Sequence, residues 1–182
     1  TFPGAGVAAM AASRRNIDYI LKNMFPMIIS FDKLNQVRHI RFLKDMDGLA
    51  AHMEKHRALL EPKFRAVLAI LDEGLSGCGS IARWTKPNGG YFLSLYTLGG
   101  CAKRTVQLCR EAGVVLTDAG AAYPYGVDPQ DSNIRIAPTF PPLDELETAS
   151  RLLCVCVRIA TLEKLLQRQR CPGALRLGPA PR

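Results

Sequence analysis

The segment Asn133-Ile134-Arg135-Ile136-Ala137-Pro138 sets one arginine into a short apolar strand. A guanidinium is costly to bury there unless something anionic meets it. Its planar fork matches a carboxylate through two parallel hydrogen bonds. The pattern alone leaves two other outcomes open for Arg135, an internal ion pair with an Asp or Glu and exposure at a sheet edge. About fifteen residues rich in Gly, Pro, Tyr and Asp separate this strand from Val114-Val115-Leu116-Thr117. Loops that long inside a domain usually carry function.

Other residues could do chemistry, and each has a plainer reading. His52-Met53-Glu54-Lys55-His56 places two histidines at i and i+4, on one helix face. That spacing suits a metal, but the Glu is not in the His-Glu-x-x-His position and no third ligand is apparent, so no metal site is assigned. Gly4-Ala5-Gly6 lacks the preceding strand and third glycine of a dinucleotide loop. Arg38, His39 and Arg41 read as a solvated helix face. Cys154 and Cys156 point to different sides of a helix, which disfavours a shared metal or disulfide.

The elements that must position these residues are legible in outline. Ser13 can cap a helix from about Arg14 to Asn23. Val7 to Ala12 could be buried strand or helix, and Met27 to Phe31 a short buried strand or an extended link. From Lys33 to about Leu75 the pattern is helical, with Leu49, Met53, His56, Leu60, Phe64, Val67, Leu68 and Leu71 on one face and a kink or fresh start expected at Pro62. Ile81–Thr85 and Tyr91–Leu95 flank Lys86-Pro87-Asn88-Gly89-Gly90 as paired strands. Ala102 to Glu111 is helical and stops at Gly113, Val114–Thr117 and Asn133–Ala137 read as strands, and Leu143 to Leu166 is a closing helix with acids in its first turn. Alternating strands and helices point to an α/β or α+β domain.

Composition limits the alternatives. Nearly half of the 182 residues are hydrophobic and 22% are charged, so a core can form. No run is long and apolar enough to span a membrane, and Thr1-Phe2-Pro3-Gly4 does not open a signal peptide. Six cysteines without a Cys-x-x-Cys pair read as reduced, buried thiols of a cytoplasmic protein. The net charge is +8, and residues 167–182 carry four arginines and no acid; without them it is +4. The Pro/Gly-rich tail lacks interleaved aromatics and reads as a disordered basic end, with no nucleic acid as partner.

Taken together, Gly113 through Tyr123 followed by the Ile134-Arg135-Ile136 strand resembles the C-terminal signature of fold-type I pyridoxal-phosphate-dependent aminotransferases. Pro87-Asn88-Gly89-Gly90-Tyr91-Phe92 is similar to that family's Pro-x-Gly-Gly-x-aromatic segment. Thr1-Phe2-Pro3-Gly4-Ala5-Gly6, Asp32-Lys33-Leu34-Asn35-Gln36 and Pro62-Lys63-Phe64 resemble a bacterial aspartate-aminotransferase-like branch. The resemblance spans roughly residues 1–166. It implies an α/β fold, with residues 46–166 as the small C-terminal domain, 1–45 as a partial strip of the large cofactor domain, and 167–182 as a tail. It implies pyridoxal 5'-phosphate as cofactor, amino acid and 2-oxo acid substrates with a leaning to aspartate or glutamate, and a homodimer. It gives Arg135 the substrate carboxylate and places the Schiff-base lysine just before Thr1, so the chain alone is expected to be inactive. Cofactor-phosphate residues stay unassigned, since no basic residue follows Gly6 before Arg14. The competing expectation is a non-catalytic interaction module that reuses the small domain.

Overall fold

Three short polar side chains start the first three helices of the computed structural model, which describes residues 6–28 and 30–170. The Ser13 hydroxyl accepts from the Asn16 N–H at 3.4 Å to open α1 (Arg14–Met24). The Asp32 carboxylate accepts from the Asn35 N–H at 2.9 Å to open α2 (Lys33–Leu43). Asp45 accepts from the Gly48 N–H at 2.8 Å at the start of α3 (Met46–Leu75). Each satisfies an amide that the helix itself leaves unpaired. The helical stretch therefore breaks at Lys44, which takes a positive φ of 65°; of the kink or fresh start expected at Pro62, no fresh start occurs, since Pro62 lies inside α3. Proline in a helix removes one hydrogen bond and costs about 3 kcal/mol. Beyond Pro62, α3 buries Val67, Ile70, Leu71 and Leu75, enough to carry the helix through.

Two compact units make up the chain, Thr1–Arg57 and Ala58–Arg182. In the first, Val7–Ala12 forms neither of the elements considered for it and is exposed. Met27 lies in a turn and Phe31 in an exposed link, so no strand forms there among the described residues. Asn35 is buried and donates to the Gly6 carbonyl at 3.2 Å.

The second unit is a three-stranded antiparallel sheet, β1 (Ala82–Trp84), β2 (Leu93–Thr97) and β3 (Asn133–Ile136), in that spatial order. Pairing runs Arg83↔Tyr96 and Trp84↔Leu95 on one side of β2, Ser94↔Arg135 and Leu95↔Ile134 on the other. Side chains alternate across a strand. One face therefore presents Ala82, Trp84, Leu93, Leu95, Ile134 and Ile136 to the core. It packs on the second half of α3, on α4 (Ala102–Glu111) and on α5 (Leu143–Arg170). The opposite face carries Arg83, Ser94, Tyr96, Asn133 and Arg135.

Two strand expectations need correction. Among the described residues Val114–Thr117 pairs with no strand; Val114 and Leu116 pack on the core while Val115 points outward, giving the alternation without a ladder. The second hairpin strand begins at Leu93, not Tyr91, because the Gly-rich connection extends through Phe92. α5 runs past Leu166 to Arg170; the remainder of the basic segment lies outside the described residues. No helix among the described residues is long and apolar enough to cross a membrane.

Cys154 and Cys156 do face different neighbours. The Cys154 thiol reaches the Ile70 carbonyl of α3 at 3.7 Å, whereas Cys156 meets Cys109 of α4. Cys78, Cys101, Cys109, Cys154 and Cys156 are all free thiols. Burial pushes Cys109 up to about 12, helped by Cys156, and Cys154 to about 11. Such thiols carry little thiolate at neutral pH. In the native protein they are expected to resist a thiol reagent, labelling only on denaturation. Fast labelling at Cys109 or Cys154 would contradict this packing. Cys171 lies outside the described residues.

Candidate functional site

Arg135 sits mid-way along β3 on the sheet face turned away from the helices. β3 is an edge strand, yet the side chain is half-buried and its Nε has no hydrogen-bond partner. Among the described residues it meets no carboxylate, so the internal ion pair left open by the sequence is absent. Its guanidinium carbon lies 4.8 Å from the centroid of the Phe92 ring. Phe92 precedes Ser94, the cross-strand partner of Arg135, by two residues and so shares its face. The ring thus supports the guanidinium by cation–π attraction. Two residues before Arg135 on the same face, Asn133 is 1% exposed with its Oδ1 also unpartnered. A buried donor and a buried acceptor, both without a partner, thus lie two residues apart on this face.

The long loop is ordered by its acids. The Asp128 carboxylate accepts from the N–H groups of Gln130, Ser132 and Asn133 at 3.0, 2.7 and 2.8 Å. Burial pushes its pKa up, but these amides outweigh it and hold the carboxyl below its ordinary value. Asp131, at a positive φ of 45°, accepts from the Lys103 N–H at 3.0 Å and so caps α4 from outside. At Gly120 (φ 84°) a Cβ would stand 2.7 Å from the Gly126 carbonyl oxygen, which leaves room for glycine alone. On the far side of β3, the Lys63 ammonium donates to the Thr139 and Pro141 carbonyls at 2.8 and 2.6 Å, tying the strand's exit to α3.

Asp128→Asn should therefore cost about 2 kcal/mol, the scale for hydrogen bonds to a charged group. Because the folded pKa is depressed, this contribution is present above the unfolded value near 3.8 and fades as pH falls through the folded one. Urea midpoints should thus drop for the variant at pH 7 and converge with wild type in strong acid. A constant gap across that range would contradict the role given to the carboxylate.

The other candidates separate. His52 and His56 do meet, with Nε2 atoms 3.1 Å apart, and the Phe42 and His52 rings form a T-shaped contact. Among the described residues no group of three or more His, Cys, Asp or Glu gathers around a point. Arg38 and Arg41 are exposed, and His39 is half-buried with Nδ1 2.8 Å from the Asn35 carbonyl. Arg14 pairs with Asp18 at 3.4 Å, exposed. Gly4 and Ala5 lie outside the described residues. A separate open hollow of about 580 Å³ is lined by Arg83, Trp84, Lys86, Tyr96, Gln130 and Ser132 among others, and Arg135 does not line it.

A family model described as aspartate amino-transferase matches residues 1–169. The chain belongs to this family. A provisionally named aminotransferase of Mycolicibacterium smegmatis is 49% identical over 166 residues, covering 91% of this chain and 39% of that protein. An aspartate aminotransferase of Corynebacterium glutamicum is 43% identical, over 90% of this chain and 38% of its own length. The chain therefore spans under two-fifths of these relatives. The crystal structure of an aspartate transaminase from Corynebacterium glutamicum superposes with a TM-score of 0.76 at 43% identity, covering 84% of this chain and 36% of the other. LysN, an α-aminoadipate aminotransferase of Thermus thermophilus, shares the fold at 20% identity, with a TM-score of 0.70 over 88% of this chain and 40% of its own; it is complexed with N-(5'-phosphopyridoxyl)-L-leucine.

Within the aspartate amino-transferase family the chain corresponds to a C-terminal portion of a fold-type I enzyme with an α/β architecture. Sequence reasoning singled out Arg135 but gave no role to Phe92, Asp128 or Lys63. Phe92 closes the Pro-x-Gly-Gly-x-aromatic motif, and its position two residues before the strand partner of Arg135 is the signal for its use. For Asp128 the signal was the Asp-Pro-x-x-Ser turn, where an aspartate folds back on following amides.

Proposed function

We propose that the full-length protein moves an amino group between an amino acid and a 2-oxo acid with pyridoxal 5'-phosphate, and that Arg135 grips the substrate carboxylate. One observation carries the reading: a half-buried arginine, backed by Phe92, without an acid partner among the described residues and with Nε unsatisfied. Asn133 Oδ1, beside it, would take a donor from the same substrate or from the cofactor. The cofactor supplies the electron sink for the carbanion that forms at the amino acid's α-carbon. Arg135 supplies orientation, which by itself is worth a large part of such a barrier.

Aspartate or glutamate is the preferred amino acid in this reading, supported by the names of the 43%-identical relatives. The protein works in the cytoplasm as a homodimer, with residues 46–166 as its small domain and 1–45 as part of its cofactor domain. The reduced, buried thiols support the compartment. The test is amino transfer by the full-length protein, supplied with pyridoxal phosphate, from each of a panel of amino acids to 2-oxoglutarate or oxaloacetate. Transfer fastest with a dicarboxylic amino acid is expected. No transfer with any donor would leave the non-catalytic interaction module as the better account.

A further inference from the structure

We propose that His52 and His56 form a two-imidazole chelate on α3 for a divalent transition ion, zinc or nickel by its chemistry. Residues four apart on a helix stand one above the other. Here the two Nε2 atoms converge to 3.1 Å, with the rings at 81° to each other. Two metal–imidazole bonds of about 2.0–2.1 Å set their nitrogens about 3.3 Å apart at a tetrahedral angle and about 2.9 Å apart at a right angle. The observed spacing lies between these, so a tilt of the two rings is enough to turn both Nε2 lone pairs onto one ion.

The surroundings suit an ion held by nitrogen. The Phe42 ring stands edge-on to His52 with centroids 5.3 Å apart, which restrains the imidazole. Glu54, two residues from each histidine along the helix, is paired with Arg57 through contacts of 2.7 to 3.1 Å. Imidazole ligands with no carboxylate or thiolate select zinc, nickel or copper over magnesium or calcium. No cluster of three or more ligating side chains forms among the described residues, so water or an outside ligand fills the other positions. The site is thus open and exchangeable, unlike a closed structural zinc. In the neutral pair one ring donates Nε2–H to the other; on binding, that ring carries its proton on Nδ1 instead, and no net proton is released.

The test is calorimetric titration of Zn(II) and of Ni(II) into the full-length protein and its His52→Gln, His56→Gln and His39→Gln variants. Glutamine keeps the helix propensity, and circular dichroism confirms that each variant is folded. Wild type is expected to bind one ion more per chain than His52→Gln or His56→Gln, or to bind it roughly tenfold or more tightly. His39→Gln should match wild type. Equal stoichiometry and affinity in His56→Gln, or no uptake by wild type up to about 1 mM, overturns the proposal.

Discussion

Replacing Arg135 by lysine in the full-length protein is expected to lower kcat/KM for the amino acid by roughly 100-fold, the cost of misplacing a substrate by about an ångström. Charge is conserved in that variant, so the loss isolates geometry. Guanidinium offers two parallel donors in a plane, whereas ammonium is a compact point charge on a flexible stem. The guanidinium carbon also lies 4.8 Å from the Phe92 ring centroid, a cation–π contact that lysine reproduces poorly. Cofactor uptake, followed by visible absorbance, should stay close to wild type, because Arg135 is assigned to the substrate alone. Steady-state kinetics check the first expectation. Unchanged kcat/KM would remove Arg135 from the site, and lost cofactor uptake would reassign it.

Leu95→Ala is expected to destabilise the small sheet by about 2–5 kcal/mol, the range for emptying a buried leucine site. Leu95 is fully buried on the central strand, with Trp84 and Ile134 as its register neighbours on either side. That cost is a large share of the stability of an ordinary domain. The same strand sets the position of Ser94 opposite Arg135, so activity should fall along with stability. Urea denaturation of the full-length protein measures the first effect, and a shift worth less than about 1 kcal/mol would place Leu95 outside the core.

How much of this was readable from sequence depended on whether the signal was local. Ser13 announces its helix because a cap acts on amides two or three residues away. Arg135 announced itself through its apolar neighbours. The break at Lys44 was hidden because Pro62 is the stronger local signal, and burial of Val67, Ile70 and Leu71 overrides it. Val114–Thr117 shows strand alternation, but a strand needs a partner, and pairing depends on distant residues. The Lys63 anchor spans 76 and 78 residues to its two carbonyls, a separation that no window of sequence reveals. His52 and His56 were visible as a spacing; that their Nε2 atoms converge was not.

The central claim is that Arg135 grips a carboxylate, and a crystal structure of the full-length protein with a bound dicarboxylic substrate analogue tests it most directly. The account predicts a carboxylate accepting two near-parallel hydrogen bonds from Arg135 at about 2.7–2.9 Å, with the guanidinium still resting on Phe92. An analogue bound elsewhere, with Arg135 Nε still lacking a partner, would contradict it.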